Sequence, residues 1–246
     1  MNSLVPTTIP EIPVPEISLY QLSSSTVPTT LPKGAIHIWQ ADLQQPSIQP
    51  LINHLSADEL ARANRFHFER DRRRYIVARG VLRQLLGSYL GSQPDRIQFT
   101  YSPQAKPSLL TPLSNPLLHF NLSHSMDSAL FAFAHCEVGI DIEATRADVD
   151  SELIAPGVFS PSELRQWQAL PAAQKHNAFF SLWTRKEALV KAFGKGIGYP
   201  LGEVSVNFST QPADQIRFAQ QLHAEGQARF IWEIPVQAGF LAALAV

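Results

Sequence analysis

The chain has a single cysteine, Cys136, which excludes an internal disulfide and fits a reducing compartment, read here as the cytoplasm. That thiol closes an apolar run and reads as a packed, inert group. Long apolar stretches are missing: nothing approaches the ~20 residues needed to span a bilayer. The start, Met1–Pro6, has neither a basic residue nor a long apolar segment, so no secretory leader is expected. Charge of one sign is also missing, with 20 Lys+Arg against 21 Asp+Glu, and no basic balance points to nucleic acid. No Cys/His cluster has zinc-site spacing. Residues 1–32 lack glycine and basic residues altogether. Their prolines (Pro6, Pro10, Pro13, Pro15, Pro28, Pro32) forbid a helix across most of the segment, which reads as an extended arm.

What is present is a chain of 246 residues, 45% hydrophobic, long enough for one large or two small domains. Ala35–Trp39 alternates as a strand. Ser56-Ala57-Asp58-Glu59 is a capping box that starts a helix. Arg72–Leu86 reads as a second helix, stopped by Gly87. Ile97–Tyr101 is a further strand, Ser102–Pro116 a Pro-rich loop, and Ala129–Ala134 a buried strand.

The second half repeats this order. Ile140-Asp141-Ile142-Glu143 answers Ile36-His37-Ile38-Trp39 at an offset of 140 − 36 = 104, and Ser160-Pro161-Ser162-Glu163 answers Ser56 at the same 104. A helix around Trp183 stops at Gly194, answering Gly87 at 107, and Val204-Ser205-Val206 answers Ile97-Gln98-Phe99 at 107. Phe240–Ala245 answers the run from Ala129 at 111. These matches, all in one order, argue for an internal duplication. The expectation is an α+β fold of two pseudo-twofold lobes, each an antiparallel sheet with packed helices, covering 33–136 and 137–246. Ligands favour the cleft between such halves.

Two patterns carry chemistry. On a strand, Asp141 and Glu143 share one face while Ile140 and Ile142 share the other. Two acids on an apolar strand are costly unless something cationic sits beside them. On a helix, Trp183, Glu187 and Lys191 form one stripe at i, i+4 and i+8. Asp141, Glu143 and Glu187 thus make a three-carboxylate set of hard oxygen ligands suited to Mg²⁺, with Mn²⁺ as a substitute. His37 and Trp39 stand where the second half has its acids, so one metal site is expected. Eight of the 20 Lys+Arg are arginines between Arg62 and Arg83, either a solvated helical face or an anion site. Asn121-Leu122-Ser123-His124-Ser125 suits an anion-binding turn. Lys106-Pro107 lies in the loop before it. Gly194-Lys195-Gly196-Ile197-Gly198 reads as a helix stop and turn.

Together these residues resemble the 4′-phosphopantetheinyl transferases of the two-lobed type related to surfactin synthetase activator. The resemblance rests on Gly139–Glu143, on Trp183–Lys191 as Trp-x-x-Lys-Glu-Ala-x-x-Lys, on Asn121–Ser125 and on Lys106-Pro107, and it covers roughly residues 34–246. Ala105 stands where the family usually has glycine, and Glu59 where it often has a basic residue. The resemblance implies a monomer that moves 4′-phosphopantetheine from coenzyme A to a serine of an apo acyl or peptidyl carrier protein. It implies Mg²⁺ on Asp141, Glu143 and Glu187, with Asp141 touching metal and pyrophosphate alike. Glu187 and Lys191 are then catalytic, and Arg62, Lys106, Ser123 and His124 hold phosphates. Two rival classes stand beside it. A metal-dependent nuclease or phosphohydrolase of the Asp…Glu-x-Lys kind needs Glu and Lys two apart on a strand, whereas here the spacing is helical. A non-catalytic coenzyme A or carrier-binding module would not need three carboxylates plus Lys191.

Overall fold

Alternation, capping and glycine placement build this chain into two sheets, each backed by one long helix. The computed structural model describes residues 15–23, 26–110, 117–196, 198–224 and 227–246. The first half runs β1 (Glu16–Gln21), β2 (Ala35–Asp42), α1 (Gln49–Ile52), α2 (Ala57–Ala63), α3 (Glu69–Leu90), β3 (Phe99–Tyr101), β4 (Pro107–Leu109), β5 (His119–Ser125) and β6 (Ser128–Ala134). The second runs β7 (Gly139–Ala144), α4 (Ser151–Val158), α5 (Pro161–Gln168), α6 (Ala172–Phe193), β8 (Arg217–Ala224), β9 (Gln227–Glu233) and β10 (Phe240–Ala245). The sheets have the orders β1-β2-β6-β5 and β7-β10-β9-β8, and β3 pairs with β4 alone. All pairings are antiparallel except β1 with β2. No helix of the described residues is long and apolar enough to cross a membrane.

Strand alternation sorts the core into layers. Ile36, Ile38, Leu130 and Ala132 of one sheet meet Ile140, Ile142, Ala242 and Leu244 of the other. Their neighbours in sequence face outward: Trp39, Phe131 and Phe133 pack on α3, and Leu241, Ala243 and Ala245 on α6. The order is helix, sheet, sheet, helix. His37 and Trp39 therefore point toward α3, away from the junction. They pack there with Tyr89, whose Oη lies 2.8 Å from His37 Nδ1 and accepts from Trp39 Nε1 at 3.0 Å. The isoleucines on either side form the contact between halves.

The two capping boxes form as the sequence indicates, on α2 and α5. Each ends in a buried ion pair with the long helix of its half. Glu59 accepts from Ser56 N–H at 2.9 Å, from Arg83 Nε at 2.7 Å and from Arg79 Nε. Glu163 accepts from Ser160 N–H at 2.7 Å and pairs with Lys186 Nζ at 2.7 Å. This accounts for Glu59 and removes Arg79 and Arg83 from the candidate anion site. Arg74 is also engaged, donating to Asp127 at 2.7 Å.

Five expectations change. Cys136 is exposed rather than packed. Part of the Pro-rich arm is a strand, β1, beside β2, with Tyr20 stacked on Trp39; residues 1–14, 24 and 25 lie outside the described residues. The Ser102–Pro116 loop contains β4, and 111–116 lie outside the described residues. Gly87 does not end α3. It is buried inside the helix, where a Cβ would come within 2.7 Å of Ser92 O, and the left-handed stop is Gly91 at φ 60°. Val204–Val206 is not a strand. Val206 N–H is taken by Glu163 Oε1 at 2.6 Å, and the second half builds β8 and β9 instead.

Candidate active site

The site lies where β5 and β7 run side by side. Among the described residues no backbone ladder joins these strands, yet they are bonded. Asn121, Ser123 and Ser125 alternate along β5, so all three project toward β7. Asn121 Oδ1 accepts Ile140 N–H at 2.9 Å. Ser123 Oγ donates to Asp141 Oδ1 at 2.8 Å. Ser125 Oγ donates to Glu143 Oε2 at 2.9 Å and accepts Ala144 N–H at 3.1 Å.

The other wall is α6, packed hard on the start of β7. A Cβ on Gly139 would stand 2.0 Å from Ala188 O, so only glycine admits this approach. The stripe Trp183, Glu187, Lys191 is thereby laid along the acids of β7. Lys191 Nζ donates to Asp141 Oδ1 at 2.6 Å and to Ser123 Oγ at 3.0 Å. Asp141 is 2% exposed, and its second oxygen, Oδ2, is buried with no partner.

The carboxylates feel one another. Burial pushes the Glu143 carboxyl above its ordinary range and the Asp141 charge pushes it further, against hydrogen bonds from Ser125 and Trp183. Burial and the Asp141 charge likewise raise Glu187, with Lys191 opposing. His124 is lowered by desolvation, then by the charges of Lys191 and Arg74. Crowded acids beside a bare buried oxygen are the signature of a place that takes positive charge. Magnesium suits such a donor set, since it accepts one or two carboxylates and completes its shell with water and substrate phosphate. Among the described residues, no three His, Cys, Asp or Glu side chains are already gathered as a metal ion's ligands.

Residues 137–245 match the sequence model described as the 4′-phosphopantetheinyl transferase superfamily. Residues 38–136 match the model described as 4′-phosphopantetheinyl transferase, N-terminal. The 4′-phosphopantetheinyl transferase HetI of Nostoc sp. is 43% identical over 188 residues, covering 75% of this chain and 79% of HetI. The chain belongs to the 4′-phosphopantetheinyl transferase superfamily. The 4′-phosphopantetheinyl transferase psf-1 of Bacillus pumilus is 34% identical, covering 66% of this chain and 67% of its own. The crystal structure of Thermotoga maritima holo-(acyl-carrier-protein) synthase (AcpS) overlaps 44% of this chain and 61% of its own, at 19% identity and a TM-score of 0.29. The chain is therefore an enzyme, a 4′-phosphopantetheinyl transferase.

In this transferase the expected site residues are brought together unevenly. Asp141, Ser123 and Lys191 are in contact, and Glu143 and Glu187 are electrostatically linked to Asp141. His124 and Glu143 line one cleft of about 370 Å³ with Phe66, Arg74, Tyr75, Met126 and Arg146. Arg62 lies next to it, over the Tyr75 ring at 5.6 Å. Lys106 stands apart. Its Nζ donates to Lys191 O at 2.7 Å and pairs with Glu137 at 3.4 Å, and it lines a different cleft of about 600 Å³. Lys106 caps the end of α6 and lines a different cleft from His124. Ser123 is also turned away from the solvent side, toward Asp141. Ser125 and Asn121 also join the site, beyond the Ser123 and His124 that the sequence motif marks. Their signal was the i, i+2, i+4 alternation, which puts three polar side chains on one edge of a strand.

Proposed function

We propose that this enzyme moves 4′-phosphopantetheine from coenzyme A to a serine of an apo acyl or peptidyl carrier protein, leaving 3′,5′-ADP. The reading takes it as an Mg²⁺-dependent cytoplasmic monomer with lobes 33–136 and 137–246. The observation that carries it is Asp141: one oxygen held by Ser123 and Lys191, the other buried and bare, between two carboxyls of raised pKa.

Asp141, Glu143 and Glu187 would hold Mg²⁺, which neutralises pyrophosphate charge when bound. Glu187 has the desolvated, raised carboxyl of a general base and removes the proton of the carrier's serine hydroxyl, directly or through water. Lys191, one helical turn on, faces the charge that develops on the departing nucleotide and stabilises or protonates it. Arg62 and His124 bind the nucleotide phosphates. Lys106 secures α6 through Lys191 O and adds a cation for those phosphates.

The test is incubation with coenzyme A, Mg²⁺ and a panel of apo-carriers, read as mass gain on the carrier. The expected product is a serine-linked phosphopantetheine, absent without the metal. If no carrier gains mass and coenzyme A is not consumed, the reading fails.

A further inference from the structure

The roles above leave Ser125 without one, although it sits at the site from the opposite half of the chain. We infer that Ser125 is a positioning residue for Glu143: its hydroxyl fixes the rotation of that carboxylate so that it can bind a divalent cation. The inference rests on the metal role proposed above.

The hydrogen-bond direction is set by the backbone. Ala144 N–H donates into Ser125 Oγ at 3.1 Å, which engages a lone pair of that oxygen. The hydroxyl hydrogen is then directed to Glu143 Oε2 at 2.9 Å. A glutamate's last torsion is broad and has no sharp rotamer of its own, so a donor is needed to hold it. The same device recurs two residues away. Ser123 Oγ accepts from Lys191 Nζ at 3.0 Å and donates to Asp141 Oδ1 at 2.8 Å, and Asp141 Oδ2 is left bare. Two serines spaced i, i+2 on β5 therefore serve two acids spaced i, i+2 on β7, each engaging one oxygen.

A purely structural role is the alternative. Ser125 pairs with Ser128 across the β5–β6 turn. That turn is held independently by Leu43 N–H on Asp127 O at 2.7 Å and by Arg74 on Asp127 at 2.7 Å. Removing one hydroxyl leaves those bonds in place.

The experiment titrates Mn²⁺ into the full chain, with and without coenzyme A, and reads free Mn²⁺ by electron paramagnetic resonance beside a melting curve. Ser125→Ala should stay folded, melting below the wild type because Ala144 N–H loses its acceptor, and bind Mn²⁺ about 10- to 100-fold more weakly, the loss usual when a ligand's hydrogen-bond partner is removed. Ser125→Thr keeps the hydroxyl and should stay within about threefold of the wild type. Should Ser125→Ala not fold, Ser125→Cys replaces it, with the same weakening expected because a thiol is a poor donor. Unchanged Mn²⁺ affinity in a folded Ser125→Ala, or an equal loss in Ser125→Thr, overturns the inference. An Asp141→Asn control separates the two claims. If it leaves Mn²⁺ binding intact, the metal site itself is misplaced. If it abolishes binding and Ser125→Ala does not weaken it, only the role of Ser125 is wrong.

Discussion

Lys191 Nζ meets Asp141 Oδ1 at 2.6 Å, and this contact ties the long helix of the second half to the strand that carries two of its acids. It offsets the charge of Asp141 but leaves Glu187 and Glu143 raised, because burial opposes their ionisation.

Glu187→Gln should therefore split stability from activity. A carboxyl whose folded pKa lies above its unfolded value costs stability when ionised, so the amide should melt at the same or a higher temperature at pH 7.5. Transfer should fall by about 100-fold or more, the usual scale for a lost general base. A variant that transfers within tenfold of the wild type would exclude Glu187 as the base.

Glu137 gives a pH-dependent outcome. Hydrogen bonding from His119, with help from the charge of Lys106, pulls its carboxyl down to about 2 against burial. A carboxyl depressed in the folded state stabilises it above the unfolded pKa of 4.5 and loses that effect as pH falls toward 2. The melting-temperature difference between wild type and Glu137→Gln should be full at pH 6 and shrink between about pH 4.5 and 2. A difference constant across that window would contradict the assignment.

Tyr89→Phe removes the acceptor of the fully buried Trp39 indole N–H. An orphaned buried donor costs about 1–3 kcal/mol, which urea unfolding can read. Transfer per folded molecule should not change, because the cluster faces α3 and not the site. A drop in activity at equal folding would mean the first half couples to the chemistry more directly than its packing indicates.

Lys186→Met should cost about 3–5 kcal/mol by stranding buried Glu163 without its cation. Adding Glu163→Gln should recover part of that loss. Purely additive losses would show that the pair is not the unit the geometry makes it.

Much of this was legible in the sequence because the signals were local. The two capping boxes, the Ile-Asp-Ile-Glu alternation and the Trp183–Lys191 stripe each declare an element and a face from a few neighbouring residues. What was not legible depends on distant chain. Gly87 looked like a stop, but the approach of Ser92 and Pro94 makes it a packing glycine, and Gly91 four residues later takes the left-handed turn. β1 was hidden among prolines because its partner, β2, supplies the reason for it to be extended. Val204–Val206 had strand composition but lost its ladder to the Glu163 side chain. The contact of Lys106 with a carbonyl at the end of α6 joins residues 85 apart and leaves no mark in the sequence nearby.

The seam between β5 and β7 makes the chemistry a gauge of how closely the halves sit. Its bonds are side-chain hydroxyl and amide contacts of 2.8–3.1 Å, which fade steeply once donor and acceptor move past about 3.5 Å. Each sheet keeps its own ladder regardless of that spacing. A separation of well under one bond length across the seam would therefore part Ser123 and Ser125 from the two acids, leaving Asp141 to Lys191 alone, while every strand and helix stayed formed.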